Sequence, residues 1–478
     1  MVNGIKRNRI VDILAHKEVG KEATVYGWIR TRRDSKGGFS FLEINDGSCV
    51  KNLQVIADKR LPNYEDEVLK LNAGASVKIK GTLVNSPGKK QDIELIAEEL
   101  KVVGWADPER YPLQKKRHSF EFLRSIPHLR GRTNTFGAVA RVRSAISYAI
   151  HKFFQERGFI YIHTPIITGN DCEGAGEVFK VTAFDLANMP TDKDGSPDYS
   201  EDFFGQKAYL TVSGQLEAEA YALALGDVYT FGPTFRADNS NTPRHLAEFW
   251  MVEPEMAFSE LDRAIKVAEE FLRYLFSFVL EECKSDIEFF NRFVESNLIR
   301  TLEEVREKGF SKISYTEAID MLSKSKRDFQ YPVEWGLDLK TEHERYICEE
   351  VFYGPTVITD YPKGIRPFYM KLNPDNKTVR AMDVLVPGIG EIIGGSQRED
   401  DYYILVQRME EQGIDPRAYW WYLELRRFGS TPHAGFGLGF DRFIQFITGL
   451  SNIRDVIPFP RTPGSLGFLS RRVYGSDI

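Results

Sequence analysis

Several short runs near the start of the chain partly alternate apolar and polar positions with a period of two, the pattern of half-buried β-strands. Five such runs lie between residues 24 and 104, and turn signals such as Asp46-Gly47 and Pro87-Gly88 separate them. Five short strands in a segment of this size predict a small β-barrel. An OB-fold fits this count, and an SH3-like barrel stays open as an alternative.

The pattern changes after this barrel. Residues 105–130 contain three prolines and the basic run Lys115 to His118, which predicts a hinge or linker. From residue 131 to 478, strand-like and helix-like runs interleave without regular βαβ spacing. We therefore predict an α+β fold, in which a barrel over residues 1–104 precedes a larger domain with a mainly antiparallel sheet flanked by helices.

Within the larger domain, a helical pattern begins near Arg141 and stops at Gly158. Two strand-like runs, Val228 to Phe235 and Ala247 to Val252, enclose a polar loop and predict a hairpin. The remaining assignments are a surface loop over residues 187–206, a helical block over 260–310, and strand-turn or glycine-rich segments over 379–407 and 431–447.

Charge is distributed unevenly along the 478 residues, whose formal net charge is −6. Residues 1–104 carry 18 Lys and Arg against 14 Asp and Glu, a net charge of +4, which leaves −10 for the rest. A mildly basic barrel is a weak indication of contact with a polyanion. The four cysteines form no close pair and no apolar run is long enough to span a bilayer, so we expect a cytoplasmic protein without a membrane partner.

The predicted hairpin brings three cationic or potentially cationic side chains to one end: Arg236, Arg244 and His245. The planar guanidinium fork suits phosphate or carboxylate oxygens. Phe249 offers an aromatic face for a purine. The carboxylates of Glu253 and Glu255 lie on one face of the second strand. A charged hairpin closed by internal salt bridges is the alternative interpretation.

Two further segments carry candidate chemistry. Gly435, Gly437 and Gly439 alternate, which leaves one side of a strand bare for a flat ligand, and Asp441-Arg442 then opens an apolar helix. This spacing is not that of a Rossmann or Walker loop. Asp383 and Glu391 bracket a turn, and two oxygen ligands without a nearby His or Cys suit Mg²⁺ held jointly with substrate phosphates.

These segments, in this order, resemble the signature motifs of the class II aminoacyl-tRNA synthetases. The helix ending at Gly158, with the following strand and Pro165, is similar to motif 1. Motif 2 is similar to Phe235-Arg236-x-Asp238 with Arg244-His245, and motif 3 to the glycine strand with Asp441-Arg442. Asp238 departs from the family pattern, which usually has Glu. With an N-terminal barrel, the chain resembles the subgroup of aspartyl, asparaginyl and lysyl enzymes.

One element separates members of this subgroup. Aspartyl enzymes share Ser-x-Gln-x-x-Lys, whose lysine pairs with the substrate carboxylate, whereas here Ala218 takes the lysine's place and Glu219 follows. Loss of a cation beside a new carboxylate disfavours a negative substrate and favours a carboxamide donor. The strings around residues 171–177, 239–242 and 245–250 are similar to those of asparaginyl enzymes, which implies ligation of L-asparagine to tRNA(Asn) with ATP.

The resemblance also implies roles for individual residues, a homodimer built on motif 1, and an anticodon-binding barrel. Arg236 and Arg442 would be catalytic. ATP would be bound by Arg236, Asp238, Arg244, His245, Phe249, Glu391 and Arg442, and Mg²⁺ by Asp383 and Glu391. Asparagine would be bound by Glu173, Gln215, Glu219, Glu253 and Arg398. The tRNA anticodon would contact Phe41, Gln54, Arg32, Arg33 and Phe39, with Phe41 stacking on a base.

Three other functions remain open at this point. An aspartyl enzyme with relaxed tRNA choice lacks its lysine, and a tRNA-independent amide-forming enzyme would not need the barrel. A regulator that kept the fold but lost catalysis would not need Arg236, Glu391 and Arg442. The sequence therefore favours the asparagine enzyme over each of these.

Overall fold

The computed structural model describes residues 7–88, 91–170, 172, 177–240 and 242–466. These residues form two compact units. The first runs from the barrel to Val142 and includes Cys283–Phe290, and the second comprises Arg143–Glu282 and Asn291–Leu466. In the part of the chain that the structure describes, we find no helix that combines the length and the apolar character needed to cross a bilayer.

A five-stranded closed barrel dominates the described residues of the first unit. Its elements are α1 (Ile10–His16), β1 (Glu22–Ser35), β2 (Phe39–Asn45), β3 (Leu53–Asp58), β4 (Ser76–Asn85) and β5 (Ile93–Gly104). The strand order around the barrel is β1-β2-β3-β5-β4, with β3 and β5 parallel and the other pairs antiparallel. Buried and half-exposed residues alternate along β2 and β3, so the predicted period of two reflects an apolar barrel interior.

The predicted linker is only partly irregular. It contains α2 (Phe120–Ser125) and α3 (Pro127–Arg130), and α4 (Asn134–Glu156) follows. Helix α2 begins where the Ser119 hydroxyl accepts a hydrogen bond from the backbone N–H of Phe122, an N-cap that the basic run upstream had obscured. The end of α4 agrees with the sequence, because Gly158 follows it with a φ of 82°.

The second unit is built on a mixed sheet. Its strands are β6 (Ile160–Tyr161), β7 (Ile167–Thr168), β8 (Lys180–Val181), β9 (Ala208–Leu210), β10 (Asp227–Phe235), β11 (Glu248–Ala257), β12 (Ser311–Ser314), β13 (Thr356–Pro362), β14 (Thr378–Val386), β15 (Gly390–Gln397) and β16 (His433–Gly439). Among the described residues the large sheet has eight strands in the order β12-β13-β14-β15-β16-β11-β10-β6, and β7, β9 and β8 form a small one. In the eight-stranded sheet only the two outermost strand pairs are parallel, so the prediction of a mainly antiparallel sheet is confirmed.

The helices named after α4 are α5 (Gln215–Leu225), α6 (Leu261–Glu282), α7 (Lys284–Phe293), α8 (Leu298–Glu307), α9 (Tyr315–Ser323), α10 (Thr341–Arg345), α11 (Tyr402–Glu411), α12 (Trp420–Glu424) and α13 (Phe440–Thr448). The predicted helical block over 260–310 is thus confirmed, and α6 packs on β14, β15 and β16. The prediction for residues 402–407 was wrong. The Asp401 carboxylate accepts hydrogen bonds from Tyr403 and Ile404 N–H groups and starts a helix there despite the β-rich composition.

Candidate active site

The predicted hairpin forms the centre of the site. Strands β10 and β11 pair antiparallel, with Phe235 opposite Glu248 at the loop end. Just beyond the last pair, the Arg236 N–H donates to the Ala247 carbonyl at 3.0 Å. The Arg236 guanidinium carbon lies 5.4 Å from the centroid of the Phe249 ring. The hairpin therefore presents a cation and an aromatic face side by side.

A cavity of about 180 Å³ opens above the end of this hairpin. All seven residues predicted to bind ATP line it: Arg236, Asp238, Arg244, His245, Phe249, Glu391 and Arg442. They come from β11, the hairpin loop, β15 and α13, so residues up to 206 positions apart in sequence converge on one space. The structure thus brings this predicted set together.

The cavity is electrostatically suited to a polyanion. Burial and the neighbouring Arg442 lower the pKa of Arg244, and burial together with three nearby arginines lowers the pKa of His245. Burial is the larger cause of each shift, and the nearby arginines add to it because like charges disfavour the protonated form. Arg244 is held by a 2.9 Å hydrogen bond to the Thr341 hydroxyl, and Arg442 donates to the Glu391 carbonyl at 3.1 Å.

Asp441 fixes the start of α13 against the hairpin. It is buried, accepts a 2.8 Å hydrogen bond from the Trp250 N–H, and forms an ion pair with Arg143. Arg442, the next residue, consequently points into the cavity. Asp441 thus supports the start of α13, and Arg442 lines the cavity.

A second cavity, of about 280 Å³, adjoins the first and shares Arg236 and Glu391 with it. Of the predicted amino-acid and metal residues, those that line it are Gln215, Glu253, Asp383, Glu391 and Arg398. Glu219 does not line it, because it lies fully buried behind Arg398. Glu173 lies outside the described residues.

The Glu253 carboxylate is held by the start of α5. The Gly214 N–H donates to it at 3.0 Å, and the Ser213 hydroxyl donates to its other oxygen. The Ser213 oxygen in turn accepts from the Gln215 N–H at 3.1 Å. This chain of contacts sets Gln215 and Glu253 on one wall of the second cavity.

Asp383 and Glu391 face the same point between neighbouring strands. A Cβ placed on Gly394 would lie 3.1 Å from one Glu391 oxygen and 3.5 Å from one Asp383 oxygen. Burial and Glu391 raise the pKa of Asp383 to about 6 against the opposing effect of Arg366, which pairs with it. Two converging carboxylates fit a hard divalent cation whose other ligands are phosphate oxygens. Among the described residues, no three His, Cys, Asp or Glu side chains form a complete metal site.

Two side chains near these carboxylates were not predicted. The Glu344 carboxylate accepts from the Glu391 N–H at 3.1 Å, and burial with Glu391 raises its pKa to about 8. Arg366 lines the second cavity beside Asp383. Neither follows a recognisable motif, and only the long-range fold of α10 against β15 brings Glu344 to the site.

Arg398 lines the second cavity and forms a buried ion pair that was not predicted from the sequence. Its Nε and Nη2 donate to both oxygens of Glu255, with the Nε contact at 3.1 Å, and its Nη1 donates to the Ser396 hydroxyl at 2.7 Å. Glu219 lies 4.0 Å away on the other side. The spacing of Glu253 and Glu255 on one strand face was the available signal for this pair.

The predicted anticodon residues lie on the barrel surface. Phe39 and Phe41 contact edge to face at 5.1 Å, and the Arg33 guanidinium carbon lies 5.6 Å from the Phe41 centroid. Gln54 on β3 is half-exposed and donates to Glu94 at 2.8 Å. Arg32 instead donates to the Val68 carbonyl at 3.2 Å. Alternation thus directs both phenylalanines outward, where an aromatic face can meet a base.

Comparison with known families agrees with this arrangement. Residues 120–463 match the family of tRNA synthetases class II (D, K and N), and residues 23–103 match an OB-fold nucleic acid binding domain. The chain therefore belongs to the class II tRNA synthetases, and its barrel is an OB-fold, which removes the SH3-like alternative.

Individual relatives narrow the family further. The chain is 61% identical to the asparagine–tRNA ligase of Picosynechococcus sp. over 95% of this chain and 99% of the relative. It is 58% identical to that of Clostridium tetani, over 95% and 97%. The asparaginyl-tRNA synthetase of Pyrococcus horikoshii complexed with asparaginyl-adenylate superimposes with a TM-score of 0.83 at 34% identity, covering 98% and 100% of the two chains. Within class II, the chain belongs to the asparagine–tRNA ligases.

Proposed function

We propose that the chain activates L-asparagine with ATP in the two adjoining cavities and transfers it to tRNA(Asn). The observation that carries this proposal is the position of Arg236, which lines both cavities. A single guanidinium there can contact the α-phosphate of ATP and the carboxylate of the amino acid together. Two anions must meet in this reaction, so positioning by cations lowers the barrier.

In the first step, a carboxylate oxygen of asparagine attacks the α-phosphorus and forms asparaginyl-adenylate, while the bond to pyrophosphate breaks. Arg244, His245 and Arg442 hold the leaving phosphates, and Asp238 binds the adenine amino group. Adenine stacks between Phe249 and Arg442, a contact favourable to a purine and a cation. No side-chain nucleophile takes part.

The amino-acid cavity binds asparagine by its ends. Gln215 and Glu253, with Glu173, hold the α-ammonium group, and Arg398 donates to the carboxamide oxygen. Asp383 and Glu391 would hold Mg²⁺, which when bound offsets the negative charge of the phosphates. In the second step, the terminal adenosine hydroxyl of tRNA attacks the adenylate carbonyl and AMP leaves.

The barrel, residues 1–104, would bind the anticodon, with residues 105–130 as hinge and 131–478 as catalytic domain. Phe41 stacks on a base, Gln54 contacts a base edge, and Arg32, Arg33 and Phe39 support the same surface. In the part of the chain that the structure describes, the four cysteines form no disulfide, which supports a reducing compartment, and we place the protein in the cytoplasm.

We further propose a homodimer built on the motif 1 region. Strand β6 is the edge of the large sheet, and its side chains, Ile160 and Tyr161, are 45% and 43% exposed. Tyr148, Ile167 and Tyr221 are exposed as well. Apolar exposure of this extent, together with an edge strand, favours burial against a second copy. Light scattering should give twice the chain mass, and a monomer at micromolar concentration would contradict the proposal.

ATP–pyrophosphate exchange tests the activity directly. We expect exchange with asparagine, none with aspartate, and charging of tRNA(Asn). Arg236→Ala should abolish exchange, whereas Arg300→Ala, which removes an exposed guanidinium from α8, should not change it. Exchange with aspartate alone would favour the aspartyl alternative instead.

A further inference from the structure

The polar cluster behind the amino-acid cavity is centred on Glu219, which is fully buried. One of its oxygens, Oε2, accepts from the Tyr422 hydroxyl at 2.7 Å and from Arg426 Nη2 at 2.8 Å, and lies 3.0 Å from His433 Nε2. The other, Oε1, accepts only from Gln215 Nε2 at 3.0 Å among the contacts of the described residues. The three groups around Oε2 therefore fix how the carboxylate is turned.

Arg426 is the main charge in this cluster. It is buried, and its Nε donates to the Glu399 carbonyl at 2.9 Å while its Nη2 also donates to the Tyr422 hydroxyl at 2.8 Å. The positive charges of Arg426 and Arg398, with the His433 contact, hold the pKa of Glu219 well below its usual range despite burial. Glu219 therefore remains ionised although it is fully buried.

The oriented, ionised Glu219 changes how favourably Arg398 binds a negatively charged substrate side chain. Arg398 already donates to both oxygens of Glu255 and has Glu219 Oε1 4.0 Å from its Nε. A substrate carboxylate would have to compete with Glu255 and Glu219 for the same guanidinium. A carboxamide adds no charge, and its oxygen still accepts from Arg398, so this array favours asparagine over aspartate.

We propose that Tyr422, Arg426 and His433 are specificity-determining positioning residues: they hold Glu219 as an oriented anion beside Arg398 and thereby make the cavity reject aspartate. None of the three was identified from sequence, and none lines the cavity. This inference rests on the proposed function of the cavity as the asparagine site.

The test compares asparagine with aspartate in ATP–pyrophosphate exchange on the full-length enzyme. In Arg426→Gln, Glu219 loses its main counter-charge and takes up a proton or turns away, so aspartate meets one anion fewer. We expect the ratio of kcat/KM for asparagine to that for aspartate to fall by roughly tenfold or more, with the KM for ATP unchanged. Arg426→Lys should recover part of the ratio.

Arg427→Gln is the matched control. It removes the same charge one position further on, where the guanidinium is exposed and stacks on the Tyr402 ring at 4.2 Å. This variant should keep the wild-type ratio. Tyr422→Phe, which removes one hydroxyl without changing volume, should lower the ratio by roughly threefold, and it decides the question if Arg426→Gln does not fold.

Two results would overturn the proposal. Equal losses of kcat/KM for both amino acids would show that the cluster supports the fold without setting selectivity. A higher ratio would show that Glu219 stays anionic without Arg426. Failure of the proposed function looks different, since the unaltered enzyme would then exchange with aspartate or with neither amino acid.

Discussion

Gly435 on β16 faces the buried Glu255 carboxylate, and its replacement by alanine tests how the amino-acid cavity is built. A Cβ at this position would lie 2.3 Å from Oε1 and 2.4 Å from Oε2 of Glu255. Strand β16 pairs with β11 on one side and β15 on the other, so its backbone cannot retreat. Glu255 must therefore move, and Arg398 loses its partner.

The expected magnitude follows from those contacts. Displacing Glu255 disturbs two charge-assisted hydrogen bonds, each contributing about 1.5–3 kcal/mol, and overpacking costs about 1–3 kcal/mol. Glu219 remains near Arg398 and offsets part of the loss. We expect Gly435→Ala to lower the free energy of unfolding by about 3 kcal/mol, and to raise the KM for asparagine about tenfold or more.

Two other glycines of the same strand supply a graded control. A Cβ at Gly437 would meet only the flexible end of Met251, at 2.8 Å, and one at Gly439 would lie 3.6 Å from Arg442 Cβ, an ordinary contact. We expect losses of about 1 kcal/mol for Gly437→Ala and a few tenths for Gly439→Ala. Urea unfolding and pyrophosphate exchange measure both effects. Equal losses at all three positions, or a Gly435→Ala variant like the unaltered protein, would refute the reasoning.

Three further predictions test other parts of the chain. Phe41→Ala should raise the KM for tRNA about tenfold or more while pyrophosphate exchange is unchanged, since stacking on a base contributes about 1–3 kcal/mol; a change in exchange would contradict a barrel-only role. Asp441→Asn leaves Arg143 without a carboxylate, so it should lower the free energy of unfolding in urea by about 3 kcal/mol and raise the KM for ATP. An unchanged KM would show that Asp441 supports the fold without affecting ATP binding. Burial lowers the pKa of His151 below the ordinary value of 6.5, so the folded protein loses stability as pH falls below 6.5, because the unfolded state takes up the proton first. His151→Gln should reduce that acid-side loss in thermal unfolding between pH 7 and 5, and an unaltered slope would exclude His151 as its source.

Local sequence patterns were sufficient to predict the hairpin that carries most residues of the first cavity's predicted set. The hairpin of β10 and β11 was predictable because two alternating strands enclose a polar loop, and five of the seven residues predicted to bind ATP lie at its loop end. The helix over 402–411 was missed because the composition of Tyr402 to Val406 favours a strand, whereas the deciding contact is the Asp401 cap. In such a case one polar side chain outweighs the propensity of its neighbours.

Side-chain partners that lie far apart in the sequence could not be predicted, for a different reason. Glu255 and Arg398 are 143 positions apart, and Glu219 and Arg426 are 207 apart. A buried charge signals only that some partner is required, and periodicity does not say which residue supplies it. Glu219 could therefore be interpreted as a direct ligand, whereas in the fold it lies behind Arg398.

The glycine strand contributes to both cavities. Its alternation suggested a bare surface for a flat ligand, and Gly437 and Gly439 do line the first cavity. Gly435, at the other end of the repeat, has its bare side filled by the Glu255 carboxylate. Glu255 pairs with Arg398, which also lies near Glu219, so the spacing that opens the first cavity also leaves room for the carboxylate that holds Arg398. We therefore predict that the glycine repeat is required for selecting the amino-acid side chain as well as for binding ATP.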